Sequence, residues 1–360
     1  MGPNKQLRVD HAEAPVKEIW SRLSLFESEY NSKEFLRRFG LTDDDLSNVA
    51  RSLAFTMRTA REYYEAADQV TILTHPLLVF YGMTALAKTL FISTHGKKSP
   101  STRHGLQKIK EWSGTFAELS VSIPKEGTFP QFHGCYSKQD LYKMIFSIKE
   151  LMSLVPEIKV EFETVYNEKS QALRILRNPD GVHVVDSELS SYVDLANRIF
   201  TIPGVNETYM PHAQEIGNKL ILYYSRINPQ AEDPVIRAVS GEEYLVLPLK
   251  RDESNVSVPE LSAHFLIMYL LGMLSRYQPE EWGEIIKGEE TGEIYIVRKF
   301  LETTTRKFPN LVLNELRNRN FVFLSPGIET PTKKRLDEDQ LSDIYDYVSR
   351  KLAEELRGRM

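Results

Sequence analysis

The chain has 360 residues, 41% of them apolar and 26% charged, with 45 Lys and Arg against 50 Asp and Glu and a net charge of −5. That apolar share suits a folded core and excludes a disordered chain, and the length suits one large domain or two modest ones. The acidic balance excludes a uniformly basic coat for nucleic acid and leaves room only for a local basic groove.

The chain opens Met1-Gly2-Pro3-Asn4-Lys5 with no apolar signal core; Pro3 and Lys5 oppose a myristoylation reading of Gly2. The opening third then reads as helix. Val16, Ile19, Trp20 and Leu23 recur at helical spacing, and Phe35, Leu36 and Phe39 precede Gly40. Asp43, Asp44 and Asp45 put negative charge where the helix macrodipole favours it, ahead of the stripe Val49, Leu53, Met57, Ala60 and Tyr64. Thr74-His75-Pro76 reads as a hydroxyl cap with proline in the first turn. The following helix, Leu77–Phe91, is apolar nearly all round and belongs at a core. It and Phe265–Leu274 fall short of the roughly 20 residues that span a bilayer.

From Phe116 to Tyr136, Leu119, Val121 and Ile123 alternate with Ser120 and Ser122, which predicts a small β-hairpin punctuated by Pro124, Gly127 and Pro130. A helix is expected from Leu141 to Val155, stopping at Pro156. Val182–Val185, Leu220–Tyr224 and Tyr244–Leu249 are expected strands, with a turn at Asn178-Pro179-Asp180-Gly181 and a loop around Pro229–Pro234. After Pro259, helices return at Leu261–Leu271, Pro279 onward, Ile294–Phe300 and Leu311–Leu316. Phe321–Leu324 reads as a short strand, and Leu341–Leu356 as an amphipathic helix. The fold class is therefore mainly α with a smaller β-containing middle section (α+β) around a helical-array core. The expected division is an N-terminal helical domain over 1–157, a strand-containing middle over 158–252 and a C-terminal helical section over 253–360 that packs with the first.

Several stretches resemble the YaaC-like family: "ARSLAFTMRTAREYYEAA", "HPLLVFYGMTALAKTLF" with "THG" after it, "KEGTFPQFHG", "FSIKELMSLVPEI", and "HFLIMYLLGMLSRYQPEEWGEII" followed by "KFPNLVLNEL". They cover about residues 45–320 and leave 40 residues at each end outside. The resemblance implies a bacterial, intracellular protein and brings no catalytic residues to carry over.

Two clusters stand out as candidate sites. Thr94 to Lys110 carries His95, Lys97, Lys98, Arg103, His104 and Lys108 among hydroxyls and glycines, with no acid before Glu111. Such a loop can hold phosphate through charge and backbone amides, although the Walker pattern is absent; equally, it can be a solvated loop between helices. Arg276, Tyr277, Glu280 and Trp282 follow the most apolar helix of the second half and suit a base or phosphate. They equally suit an Arg276–Glu pair and a packed Trp282 at a helix corner. Lys97, Lys98, Arg103, Arg276, Tyr277, Glu280 and Trp282 are the ligand-binding candidates. His95, His104 and Arg103 are the acid–base candidates.

His133-Gly134-Cys135 reads as structural rather than as a nucleophile pair, and the single cysteine permits no internal disulfide. An Arg-x5-His spacing like that of HEPN ribonucleases occurs at Arg177–His183, but Pro179 and Gly181 interrupt any helix there. No metal motif is present and no cofactor is expected. Three readings follow. The first is a cytoplasmic protein that binds nucleic acid or a nucleotide through the basic loop, in stress or phage defence; the later run Arg306, Lys307, Arg317, Arg319, Lys333, Lys334 and Arg335 would add to that charge. The second is a non-enzymatic interaction module that docks to itself or a partner through its C-terminal helix, and the third an enzyme, either a divergent HEPN-like ribonuclease or one acting on a small molecule in a pocket between the helical and strand-bearing parts. No membrane partner is expected.

Overall fold

A computed structural model describes residues 5–98, 101, 103–109, 115–177, 182–186, 192–205, 209–216, 219–224, 234–251, 255–288 and 292–327. The chain begins with strand β1 (Gln6–His11), then α1 (Pro15–Leu23), α2 (Glu29–Leu36), α3 (Asp43–Ala67) and α4 (His75–His95). The three aspartates occupy the first turn of α3, where the Thr42 side chain accepts the Asp45 N–H. Thr74 departs from expectation: it precedes α4 without a side-chain cap, and the helix starts on proline geometry alone.

Helix α4 is buried around most of its circumference. It is the one described helix long and apolar enough to cross a membrane, and two thirds of that stretch, 67%, is buried inside the protein itself. Two helices of the second half, α9 (Glu260–Tyr277) and α11 (Glu293–Arg317), pack on it, with α10 (Pro279–Lys287) between them in sequence. At the α4–α9 crossing Gly272 faces Phe80, where a Cβ would stand 3.2 Å from the Phe80 Cβ. Phe80 also meets Phe265 and Tyr269 at 5.5 and 5.7 Å between ring centres. One apolar core thus runs from Ile19 to Phe323 and draws on both the first and the last described elements.

The β structure differs from expectation in several places. No hairpin spans 116–136. Instead β3 (Ser120–Ser122) lies between β2 (Gln107–Lys108) and β4 (Ile145–Ser147) in an antiparallel sheet, and Thr128–His133 is helix α5. Phe129, Phe132 and His133 sit at helical spacing and bury one face, with both phenylalanine rings against Phe265. The helix expected from Leu141 begins only at Ile148, as α6 (Ile148–Met152), because Ser147 and Glu150 form a reciprocal capping box there. Pro248 divides the expected strand Tyr244–Leu249 into β10 (Glu243–Val246) and β11 (Leu249–Lys250), the latter paired with β12 (Asn255–Val256).

A six-stranded antiparallel sheet runs β7 (Tyr209–Ile216), β8 (Lys219–Tyr224), β6 (Val182–Asp186), β5 (Ala172–Arg177), β10, β9 (Ile236–Arg237). A second core, with Leu173, Ile175, Leu222 and Leu245 from the sheet and Leu195 and Ile199 from α8 (Tyr192–Ile199), lies on it. The turn expected at Asn178–Gly181 and the helix expected at 341–356 lie outside the described residues, as does the expected loop around Pro229 short of Pro234. Strand β13 (Arg319–Leu324) confirms the short late strand, and its parallel partner is β1, which helical periodicity did not suggest. The molecule is mainly α with a smaller β component.

Candidate functional site

The basic segment after α4 does not act as one cluster. Gly96 ends the helix at φ +62°, its N–H on the Ile92 carbonyl, and a Cβ there would lie 2.6 Å from the Phe39 ring. Lys97 and Lys98 then point into solvent, and His95 stacks on Phe91 at 4.4 Å. Arg103 is exposed, while its carbonyl accepts the Thr128 N–H and hydroxyl, both at 2.9 Å. The chain next dives against α5 through a glycine pair: a Cβ on Gly105 would stand 2.7 Å from the Gly127 Cα.

That dive places the half-buried His104 over Phe80, 5.3 Å between centres, near the start of α4. Fifteen residues of α4 separate Phe80 from His95, about 22 Å of helix. His95, Lys97 and Lys98 are therefore remote from His104. The residues that do join His104 come from elsewhere. Arg276, at the end of α9, donates to the Tyr81 hydroxyl at 2.6 Å and lies 4.9 Å from the Tyr277 ring centre. Tyr81 in turn packs on Tyr63 at 5.5 Å. Burial first, then the positive charges of Lys88 and Arg276, hold the His104 imidazole below its ordinary pKa. Lys108 donates to the Gln278 side-chain oxygen alongside. His104, Lys88, Arg276, Tyr81 and Tyr277 thus share one aromatic and cationic face.

The rest of the second predicted cluster divides. Arg276 forms no ion pair with a carboxylate among the described residues, so the expected Arg276–Glu pair is replaced by the Tyr81 contact. Tyr277 and Glu280 are exposed. Trp282 is 1% exposed, with its indole N–H directed to the Leu73 and Ile72 carbonyls at 3.1 and 3.3 Å. It fastens the α9–α10 corner to the loop before α4 and offers no surface to a ligand.

His133 has both ring nitrogens engaged, with Ser262 Oγ at 2.8 Å and the Gln139 carbonyl at 2.7 Å. Burial pushes the Cys135 thiol up to about 12, far from a nucleophile's range. Arg177 and His183 are paired residues of two antiparallel strands, so no helix carries the HEPN-like spacing.

The densest polar chemistry lies where no cluster was expected, at the meeting of the sheet with the helical core. Glu157 opens a 3-10 turn (Pro156–Ile158), Glu260 begins α9, His264 follows one turn later, and Lys307 projects from α11. The Lys307 ammonium lies 3.2 Å from Glu157 Oε1 and 3.0 Å from Glu260 Oε1, and it donates to the Arg237 carbonyl. Glu157 Oε1 also accepts the Val239 N–H at 3.1 Å. His264 Nδ1 and Thr304 Oγ1 are 2.9 Å apart. Burial opposes ionisation of Glu157, but Lys307 outweighs it and keeps that carboxyl below the usual range. Burial, reinforced by the Glu157 charge, lifts Glu260 to about 7 despite Lys307. Burial lowers His264 to about 4, so the ring is neutral. Burial also works against the Lys307 charge, yet the two carboxylates overcome it and raise its pKa. The two acids share one ammonium, and Glu260 is the member whose burial favours the protonated form.

Two residues expected in a solvated basic run are therefore spent inside. Lys307 is 3% exposed, and Arg306 donates to the Val239 and Phe323 carbonyls. Arg317 and Arg319 are exposed, and Lys333, Lys334 and Arg335 lie outside the described residues. A sequence signal for the buried cluster existed: Glu260 and His264 are four apart at the head of a very apolar helix, and Lys307 lies beside Phe308 on the buried stripe of α11.

No curated protein and no solved structure matches the chain. The YaaC-like protein family matches residues 24–316, a span that begins earlier than the quoted stretches. Since that span takes in most of the chain, including both the aromatic, cationic face and the buried ionic cluster, the protein belongs to the YaaC-like family.

Proposed function

We propose that this YaaC-like protein binds single-stranded nucleic acid, or a nucleotide presenting the same groups, on the face formed by Arg276, Tyr277, Tyr81, Lys88 and His104. The observation that supports this reading is the convergence of Arg276 and Lys88 with an exposed tyrosine, Tyr277, 63% accessible, at a place where His104 feels only positive neighbours. Arg276 and Lys88 meet phosphates, and the tyrosine rings offer base-stacking surfaces that tolerate any sequence. A neutral His104 adds a hydrogen-bonding edge without competing for the cations' counterions. A free, half-buried Cys135 fits a reducing, cytoplasmic compartment, where RNA is at hand.

Binding of labelled single-stranded RNA and DNA across a salt series tests this. Affinity should fall steeply with salt for the wild type, and Arg276→Ala should reduce the slope by about one phosphate contact. A flat salt response, or no binding at low salt, removes the reading.

A further inference from the structure

We propose that Glu157, Glu260 and His264 form a binding site for a divalent first-row transition-metal ion, Zn2+ the tightest of those commonly available to it, which displaces the Lys307 ammonium from between the two carboxylates. One donor atom from each of the three residues lies within 4.8 Å of the others. Two further observations point to a ligand beyond Lys307. His264 is 0% exposed, and its Nε2 has no hydrogen-bond partner. Glu157 Oε2 is likewise buried and unpartnered. Unmatched polar atoms of this kind are costly in a dry interior. Lys307 is already engaged: it is ion-paired with Glu157 Oε1 and Glu260 Oε1 and donates to the Arg237 carbonyl, and even so Glu260 Oε1 is left without a hydrogen bond.

The donor set selects the ion. Two carboxylate oxygens and one imidazole, with no thiolate, suit Zn2+ or Mn2+, and the imidazole disfavours Ca2+ and Mg2+. Thr304 at Nδ1 leaves Nε2 free and orients the ring, the role an outer partner plays for metal-bound histidine. Charge balance defines the exchange. With Glu260 protonated, Glu157 and Lys307 cancel and the cluster is neutral. With the ion bound, two carboxylates balance its two charges, provided that Lys307 is a neutral amine. Binding therefore releases two protons, one from Glu260 and one from Lys307. The amine keeps its donation to the Arg237 carbonyl beside a cavity of about 20 Å³ lined by Arg237, Val239, Arg306, Lys307 and Asn310.

The test is titration of the chelator-treated full chain with Zn2+, followed by calorimetry and a count of bound metal, with Ca2+ as control. One Zn2+ per chain is expected, binding more weakly as the pH falls because protons compete with the ion for the carboxylates. Glu260→Gln and His264→Gln should lose the ion. In Lys307→Met, Zn2+ should raise the melting temperature more than in the wild type, the ion replacing the lost ammonium. Should His264→Gln fail to fold, the isosteric Glu260→Gln carries the decision. No uptake by the wild type at millimolar Zn2+ overturns the proposal, even if Lys307→Met binds. Uptake unchanged in Glu260→Gln also overturns it, because the ion then lies elsewhere.

Discussion

Two groups of cations in this protein meet opposite surroundings. Lys307 is enclosed where the sheet meets the helical core, ion-paired with two carboxylates, and the half-buried Arg306 beside it donates to two backbone carbonyls. Arg276, Lys97, Lys98 and Arg103 stand in water, where Arg276 donates to the Tyr81 hydroxyl and the Lys97 ammonium lies 6.0 Å from the Phe91 ring centre. The difference is one of consequence. A charge in a dry interior binds its neighbours strongly because leaving it or them alone is costly. A charge in water holds the fold weakly and is free to meet a ligand. The inner group is a joint between layers, and the outer group is a surface.

Removing a member of each group separates these roles. Lys307→Ala leaves two buried carboxyls facing one another without a counter-charge and should cost about 3–5 kcal/mol, read from the urea midpoint. The same substitution at Lys97 or Lys98 should stay within about 0.5 kcal/mol. Equal losses at the two places would erase the distinction.

The pH dependence of the joint, measured with chelator present, sharpens it. Glu260 is raised from 4.5 to about 7, so the folded state holds its proton more tightly and stability is lost as pH rises through that interval. His264 is lowered from 6.5 to about 4, so its contribution is present above 6.5 and lost as pH falls toward 4. The two slopes oppose each other between pH 4.5 and 6.5. Glu260→Gln should therefore give a curve that rises with pH relative to the wild type there, and His264→Gln one that falls. Parallel curves in all three proteins would mean that the cluster does not titrate as its burial demands.

Trp282→Phe keeps the packed ring and loses the indole donor to the Leu73 carbonyl. A loss of about 1 kcal/mol with unchanged RNA binding is expected, and altered RNA affinity would return Trp282 to the ligand surface. Arg276→Ala should move stability least, within about 0.5 kcal/mol, while weakening RNA binding at low salt. A large loss of stability here would make Arg276 part of the fold rather than of the surface.

Legibility followed the range of the interaction. Helix α3, with three aspartates and its apolar stripe, and helix α4, with His75-Pro76 and little polar surface, were readable because their signals repeat within a few residues. The segment 116–136 misled because Leu119, Val121 and Ile123 fit a strand while the edge partners came from 107–108 and 145–147. Of the candidate site, His104 and Arg276 were visible as residues, but they arose in separate clusters. Their union depends on the fold of α9 against α4. His95, Lys97 and Lys98 adjoin His104 in the chain, yet the glycine-guided return of residues 103–105 along α4 leaves them a helix length away.

What the amino-acid sequence alone determined, then, is the class of fold, the positions of the long helices and the family resemblance, since periodicity, caps and motif order are local properties of the chain. The parallel pairing of β1 with β13, the sharing of one core by the first and the last described elements, and the Glu157–Glu260–His264–Lys307 cluster were decided only in three dimensions. Each unites residues far apart in sequence. Whether a lysine is solvated or enclosed between two acids depends on what the rest of the chain packs around it, and that is a matter of burial, which no local spacing records.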